Sequence, residues 1–238
     1  MSSFCRVRGV AAAVAVAALS GAASAGTLTA NATDGVRSAQ AIFAASGSDL
    51  IITLTNTATN DITQPIFVMT ALFFDISGPS LGLTRVSAVL GAGSVVINDP
   101  QPVGGVVGGE WAFNSGFSGP FGAAYGIGSA GLGFFGPGNL FPGPDLEPPT
   151  SPNGLEYGIP PAGDNPATNN GGTNTPLIKN SVVFTLSGLP SGFDPEARIG
   201  NITFQYGTDP SEPQIRVPAP GTGVLVAAGL LGLRRRRR

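Results

Sequence analysis

The strongest constraint on the fold is the alternation of short β-branched runs with turns rich in Gly and Pro. Residues 49–57 read DLIITLTNT, in which Leu50, Ile52 and Leu54 alternate with a second set of side chains. A period of two places successive side chains on opposite faces, so this run predicts a strand with one buried face. No stretch combines a 3.6-residue apolar stripe with helix caps, and the body is therefore predicted to be all-β.

Turn residues divide the rest of the body into further strands. The run at 66–76, IFVMTALFFDI, is almost continuously apolar and predicts a central strand covered on both faces. The other predicted strands are 36–45, 84–90, 94–98, 179–186 and 198–206. Short strands at this spacing favour an antiparallel β-sandwich or jelly-roll-like single domain over residues 26–216, and 238 residues suffice for one such domain.

A long Gly- and Pro-rich insert, about 104–176, interrupts the strand pattern. Its first part interleaves glycines with aromatic residues, and its second part, 136–176, is dense in proline. Because proline cannot donate to a strand ladder, the second part is not predicted to be central strand. A structureless loop of about 40 residues is unusual in a compact domain and tends to be functional or disordered.

The aromatic residues of the insert could have either of two roles. Trp111, Phe113 and Tyr125 could form a ligand surface on which sugar rings stack. Alternatively, they pack the long loop onto the rest of the domain, which we favour because large aromatic side chains mostly belong to cores.

The charges are segregated along the chain. The formal net charge is only −2, but seven of the 12 basic residues lie at the two ends, and all 14 acidic residues lie between Asp34 and Glu212. Without the two ends, five basic residues face 14 acidic ones, a net charge of −9. Such a body would repel nucleic acid, which binds to Lys and Arg.

The N-terminus has the three parts of an export signal. Arg6 and Arg8 supply a positive region, 10–19 is a short apolar region, and Ala23-Ser24-Ala25 is a small-residue cleavage site. We predict a signal peptide over 1–25, with a signal helix, cleaved before Gly26. The apolar run is about half of the roughly 20 residues needed to span a bilayer. Cleavage would also remove Cys5, the only cysteine.

The C-terminus is predicted to be a sorting segment, 217–238. It contains the motif Val217-Pro218-Ala219-Pro220-Gly221, a short hydrophobic helix over 222–233 and the cluster Arg234-Arg235-Arg236-Arg237-Arg238. Twelve helical residues reach about 18 Å, less than the roughly 30 Å of a hydrocarbon core. An arginine cluster stays on the cytoplasmic side and acts as a membrane stop. The alternative is a basic tail for nucleic acid or anionic lipid.

This three-part tail resembles the PEP-CTERM sorting signal of Gram-negative bacteria, with Ala219 at the usual position of glutamate. Parts of the body also resemble exosortase-dependent surface proteins: LTNTATNDITQPIFVMTALFFDISG, SAGLGFFGPGNLFPG, GLEYGI, VVFTLSGLP and ITFQYGTD. The resemblance implies the Sec export machinery and an exosortase as partners, transient anchoring in the inner membrane, and release to the cell surface or medium. It supplies no catalytic residues.

The sequence lacks the residues that several kinds of catalytic or binding site require. Without histidine the chain cannot build a Ser-His-Asp triad, and no phosphate-binding GxxxxGK[ST] loop occurs. Polysaccharide hydrolysis by a carboxylate pair, Asp145/Glu147 or Asp194/Glu196, stays open but is disfavoured. Weak Ca²⁺ binding by Asp145, Glu147, Glu156 and Asp164 is likewise left open, although no EF-hand spacing supports it and no cofactor is expected. The expected function is a non-enzymatic surface or matrix protein; the alternative is a secreted carbohydrate-binding module.

Overall fold

The structure, a computed structural model, describes residues 26–168 and 174–218. In these ranges the chain is built mainly of β-strands, with one short α-helix, α1 (Pro195–Arg198), and several 3-10 turns. The strands are β1 (Thr27–Thr33), β2 (Ser38–Ser46), β3 (Asp49–Asn56), β4 (Met69–Ile76), β5 (Thr84–Leu90), β6 (Val95–Ile97), β7 (Ala112–Ser115), β8 (Tyr125–Gly128), β9 (Leu177–Lys179), β10 (Ser181–Ser187), β11 (Ile199–Tyr206) and β12 (Gln214–Arg216). The prediction of an all-β body is confirmed.

The first sheet has the strand order β1-β2-β3-β10-β5, and every neighbouring pair is antiparallel. β2 and β3 form a tight hairpin, whose turn includes Gly47 at a φ of 62°. Leu50, Ile52 and Leu54 of β3 are completely buried, whereas the residues between them are half-buried. The period-two alternation therefore predicted both the strand and its buried face.

The second sheet has the order β12-β11-β4-β8-β7 and is also antiparallel. β4 is its central strand, and every residue from Met69 to Phe74 is buried. This burial on both faces confirms the interpretation of the continuous apolar run. The first residues of that run, Ile66 and Phe67, instead belong to a 3-10 turn that begins at Pro65.

A small third sheet pairs β6 with β9. The sequence predicted one strand over 179–186, but the chain forms two strands that meet at Asn180, whose φ is 86°. Asparagine tolerates this left-handed conformation better than most residues. Its side-chain amide donates to the carbonyl oxygen of Gly93 (2.7 Å), which fixes the bend.

The two five-stranded sheets contribute side chains to one apolar core. Phe43 of β2 meets Phe74 of β4 edge to face, with ring centroids 5.3 Å apart. Phe184 of β10 lies 5.0 Å from Trp111, next to β7. Burial of such rings is among the larger favourable terms in folding.

The predicted insert is partly sheet and partly packed loop. β7 and β8 lie within its glycine-rich first part, where they extend the second sheet. Between Pro137 and Pro176 the described residues contain no strand, but Phe141, Tyr157 and Ile159 are buried. Ile159 also exchanges two backbone hydrogen bonds with Met69, of 2.8 and 2.9 Å. These contacts hold the described part of the loop against the sheets.

Candidate functional site

The described residues of the predicted terminal signals, Gly26, Val217 and Pro218, lie next to the first and last described strands. Gly26 is followed directly by β1, and its carbonyl oxygen accepts a hydrogen bond from the Ala45 amide (3.2 Å). At the other end, Val217 follows β12, and its amide donates to the Ile202 carbonyl oxygen (2.9 Å). Outside the described residues lie Ala23, Ala25, Ala219, Pro220, Gly221 and Arg234 to Arg238, as do both predicted terminal helices.

A groove of about 510 Å³ lies between the first and last strands. β1 is an edge strand of the first sheet and β12 is an edge strand of the second. Residues Leu28 to Asn31 line one side of the groove, and Arg216, Val217 and Pro218 contribute to the other. The last described residues therefore lie beside the first strand. In the part that the structure describes, no helix is long and apolar enough to cross a membrane.

A capped turn positions β12 at this edge. Gly207 has a φ of 73°, and the carboxylate of Glu212 accepts hydrogen bonds from the amides of Thr208 and Asp209 (2.5 and 2.8 Å). The side-chain amide of Gln214 donates to the side-chain oxygen of Gln205 across the strand pair (2.7 Å). These contacts fix the short hairpin that carries Arg216 and Val217 to the groove.

The structure corrects the prediction of a ligand surface at Trp111, Phe113 and Tyr125. All three are buried, with at most 4% of their surface exposed. Tyr125 stacks on Phe74 with centroids 5.6 Å apart, and its hydroxyl oxygen accepts from the Leu81 amide (3.1 Å). A sugar ring cannot reach these side chains. They serve as core, in line with the alternative favoured from the sequence.

One aromatic residue of the same stretch does face solvent. Phe121 is 59% exposed and adopts a φ of 53° in a 3-10 turn. The Arg216 guanidinium lies 5.1 Å from its ring centroid, and the Asn201 side-chain amide donates to its carbonyl oxygen (3.1 Å). Because Asn201 and Arg216 also line the groove, Phe121 lies at the rim of that groove.

The acidic residues singled out from the sequence do not all form one site. The charge of Glu147 acts on Glu156, and the charges of Asp145 and Glu156 act on Glu110, but the remaining acids have other partners. Asp194 caps α1 by accepting from the Glu196 amide (3.0 Å), and Asp145 accepts from the Thr150 hydroxyl (2.9 Å). Asp164 instead lies beside Asp61, and Lys179 donates to its backbone carbonyl. The described part of the chain contains no group of three or more His, Cys, Asp or Glu side chains arranged to hold a metal ion.

Glu110 is a buried acid that the sequence analysis did not assign to a site. Its Oε1 atom accepts hydrogen bonds from the amides of Leu146 and Glu147 (2.5 and 3.1 Å), which join β7 to the proline-rich loop. Burial raises the pKa of this carboxyl to about 7, the two amides oppose the shift, and the charges of Asp145 and Glu156 add to it. Because both amides donate to this carboxyl group, Glu110 has a structural role: it holds the proline-rich loop in place.

The comparisons with known proteins return no match. No protein-family model matches the chain, and neither a curated protein nor a solved structure matches it.

Proposed function

We propose that this protein is a non-enzymatic surface or extracellular-matrix protein that an exosortase sorts and processes through its C-terminal tag. The Sec machinery exports the chain, the tail holds it briefly in the inner membrane, and cleavage releases it to the cell surface or medium. The tripartite N-terminal signal and the motif, apolar run and arginine cluster of the tail support this proposal. The acidic body makes nucleic acid an unfavourable partner.

The observation that best supports the proposal is where the described strands begin and end relative to the two predicted processing sites. Cleavage before Gly26 leaves β1 intact, because β1 begins at Thr27. Cleavage at 218–221 leaves β12 intact, because β12 ends at Arg216 and the last described backbone bond belongs to Val217. Both signals could be removed without loss of a described strand, as processing of a folded exported protein requires.

The finer architecture is part of the same proposal. We infer a sandwich of jelly-roll type from the two five-stranded antiparallel sheets and the contact between Phe43 and Phe74 across the shared core. Such a domain, without a cysteine after signal cleavage, suits an exported protein that matures without disulfide chemistry.

The arginine cluster provides the test. Replacing Arg234 to Arg238 by glutamine removes the membrane stop, so we expect loss of inner-membrane retention and of C-terminal processing. The matched variant carries five lysines at these positions and should keep retention, because lysine obeys the same topology rule. Fractionation and immunoblotting of both variants in the native host measure the effect. Normal maturation of the glutamine variant would contradict the proposal.

A second candidate function, binding of an extracellular saccharide, is favoured by the exposed ring of Phe121. The guanidinium of Arg216 lies 5.1 Å from the centroid of this ring, and the adjoining groove offers the side chains of Thr29 and Asn31. Saccharide sites combine an aromatic face with a few polar groups that fix orientation. The groove replaces the buried aromatics as the place for this hypothesis.

Affinity on a glycan array tests the second candidate. We expect Phe121→Ala to reduce retention of any bound glycan at least about tenfold, since loss of one stacking contact of roughly 1.4 kcal/mol has that effect. Val103→Ala is the matched control, because Val103 is 94% exposed and does not line the groove. Absence of glycan binding by the wild-type protein would remove this candidate.

A further inference from the structure

Asp164 carries a buried carboxylate oxygen to which no described residue donates a hydrogen bond. The residue is only 2% exposed, and its Oδ1 atom accepts a hydrogen bond from the Ile62 amide (3.2 Å). Among the described residues, its Oδ2 atom has no hydrogen-bond partner. The Asp164 carboxyl group lies within hydrogen-bonding reach of the carboxyl group of Asp61. An unpartnered buried oxygen of this kind is unfavourable and requires a physical explanation.

The described donors near Asp61 and Asp164 do not donate to the Asp164 Oδ2 atom and do not separate the two carboxyl groups. One oxygen of Asp61 accepts from the Asn165 amide (3.0 Å) and the other from the Thr168 hydroxyl (2.6 Å). The nearby cation, Lys179, donates to the backbone carbonyl oxygen of Asp164 (2.6 Å) and leaves its carboxyl group free. Two carboxyl groups therefore lie next to each other, and ionisation of both at once is unfavourable.

We propose that Asp164 and Asp61 share one proton and form a pH-sensitive latch, which fastens residues 161–168 to the loop after β3. The Asp164 Oδ2–H group donates to the Asp61 carboxylate, so the pair carries one negative charge. Loss of the proton to solvent leaves two adjacent negative charges, one of them buried. Repulsion and desolvation then oppose the closed loop.

The directions of the two pKa values agree with this assignment. Burial raises the pKa of Asp164, and the neighbouring Asp61 raises it further. The pKa of Asp61 is lowered, chiefly by the Thr168 hydroxyl, so Asp61 is the ionised partner and Asp164 holds the proton. The charged groups that act on Asp164 are Asp61 from the loop after β3 and Lys179 from the end of β9. Residues 169–173, NNGGT, contain no ionisable side chain.

A shared proton fits this site better than a calcium ion does. Ca²⁺ takes six to eight oxygen ligands, whereas the described site offers two carboxyl groups. Both oxygens of Asp61 already accept hydrogen bonds, and the ammonium group of Lys179 lies beside Asp164. A bound divalent cation would compete with each of these groups.

The latch lies where the backbone of the proline-rich loop is in direct contact with the loop after β3. The Gly163 amide donates to the Ala58 carbonyl oxygen (3.2 Å), and a Cβ atom at Gly163 would overlap the carbonyl oxygen of Thr59. The two segments thus touch through their backbones. Since the folded pKa of Asp164 exceeds its unfolded value, the latch is strongest at low pH and weakens as pH rises through the folded pKa.

Amide hydrogen exchange of Gly163, Asp164, Asn165 and Thr168 tests the latch in the protein purified from its host. Between about pH 4 and pH 8, after correction for intrinsic exchange, wild-type protection should fall by up to about tenfold per pH unit as Asp164 ionises. Asp164→Asn keeps a donor toward Asp61 and should hold a high, flat protection. Asp61→Asn, a second variant in case the first does not fold, should also flatten the profile.

Asp49→Asn, which replaces a half-exposed acid at the start of β3, should follow the wild-type profile. A flat wild-type profile, or the same slope in wild type and Asp164→Asn, would overturn the latch. So would recovery of wild-type protection by millimolar CaCl₂ at neutral pH that Asp164→Asn does not show, because the bound species would then be a cation.

Discussion

At the scale of single residues, Glu110 shows how the fold changes the chemistry of a side chain. Only 4% of the residue is exposed, and its carboxyl group accepts two backbone hydrogen bonds from the proline-rich loop. Burial outweighs these bonds and raises its pKa from 4.5 to about 7. Glu110 therefore links the packing of β7 against the loop to the pH of the medium.

We expect Glu110→Gln to remove a pH-dependent loss of stability. A carboxyl whose pKa is raised on folding contributes stability below its unfolded pKa, and this contribution disappears as pH rises through about 7. Relative to the wild type, the variant should gain about 2–3 kcal/mol in free energy of unfolding between about pH 4.5 and pH 8. Urea unfolding at a series of pH values measures this difference.

The control for Glu110 is Glu196→Gln, on the exposed face of α1. Its free energy of unfolding should stay parallel to that of the wild type across the same pH range. If Glu110→Gln is also parallel, the buried carboxyl does not gain a proton on folding, and its structural role as a neutral group is wrong.

At the scale of elements, two adjacent glycines allow the proline-rich loop to approach the sheet. A Cβ atom at Gly108 would overlap the Pro142 carbonyl oxygen, and one at Gly109 would overlap the Pro144 carbonyl oxygen. Backbone this close to backbone leaves no room for any side chain, because neither segment can move without losing its own contacts. The amide bonds to Glu110 depend on this approach.

Gly109→Ala should therefore lower the free energy of unfolding by roughly 1–3 kcal/mol, as overpacking of a tight contact does. The matched control is Gly138→Ala, since a Cβ atom there meets nothing within 4 Å and the backbone is not left-handed. That variant should stay within about 0.5 kcal/mol of the wild type. Thermal or urea unfolding compares the two, and equal stability would show that the loop does not approach the sheet as described.

Local patterns predicted the strands that bury large side chains in a regular order. β3 followed from its period-two alternation and β4 from its continuous apolar run, and β5 matches its predicted bounds. β1 was not predicted, because the side chains it buries are only Ala30 and Ala32. β7 and β8 were not predicted because they lie in a glycine-rich stretch without a strand pattern. β12 was not predicted because it has only three residues. These strands form because partner strands stabilise them, and such pairing has no local signal.

The candidate site was harder to predict for the same reason. Whether Tyr125 is a surface ring or a core ring depends on its pairing with Phe74, which lies far away in the sequence. The contact between Ile62 and Asp164 joins residues 102 positions apart, so neither carboxyl group of the latch marks its partner in the sequence. The proposed terminal signals, in contrast, are contiguous motifs, and their prediction depends on composition and order alone.

At the scale of the whole molecule, we propose that the two ends direct export and sorting, whereas the folded body between them carries the function outside the cell. The basic ends carry Arg6, Arg8 and the C-terminal arginine cluster, while the acidic residues lie between them. The first and last strands lie on either side of one groove, so the body ends beside the place where it begins. Removal of both ends would leave an acidic, cysteine-free β protein outside the cell.

The masses of the N- and C-terminal peptides of the mature protein, taken from fractionated cells of the native host, test this account most directly. We predict a first residue of Gly26 and a last residue between Val217 and Gly221, in the surface or medium fraction. An intact Arg238 in the inner-membrane fraction would contradict it, because the tail would then be a permanent anchor.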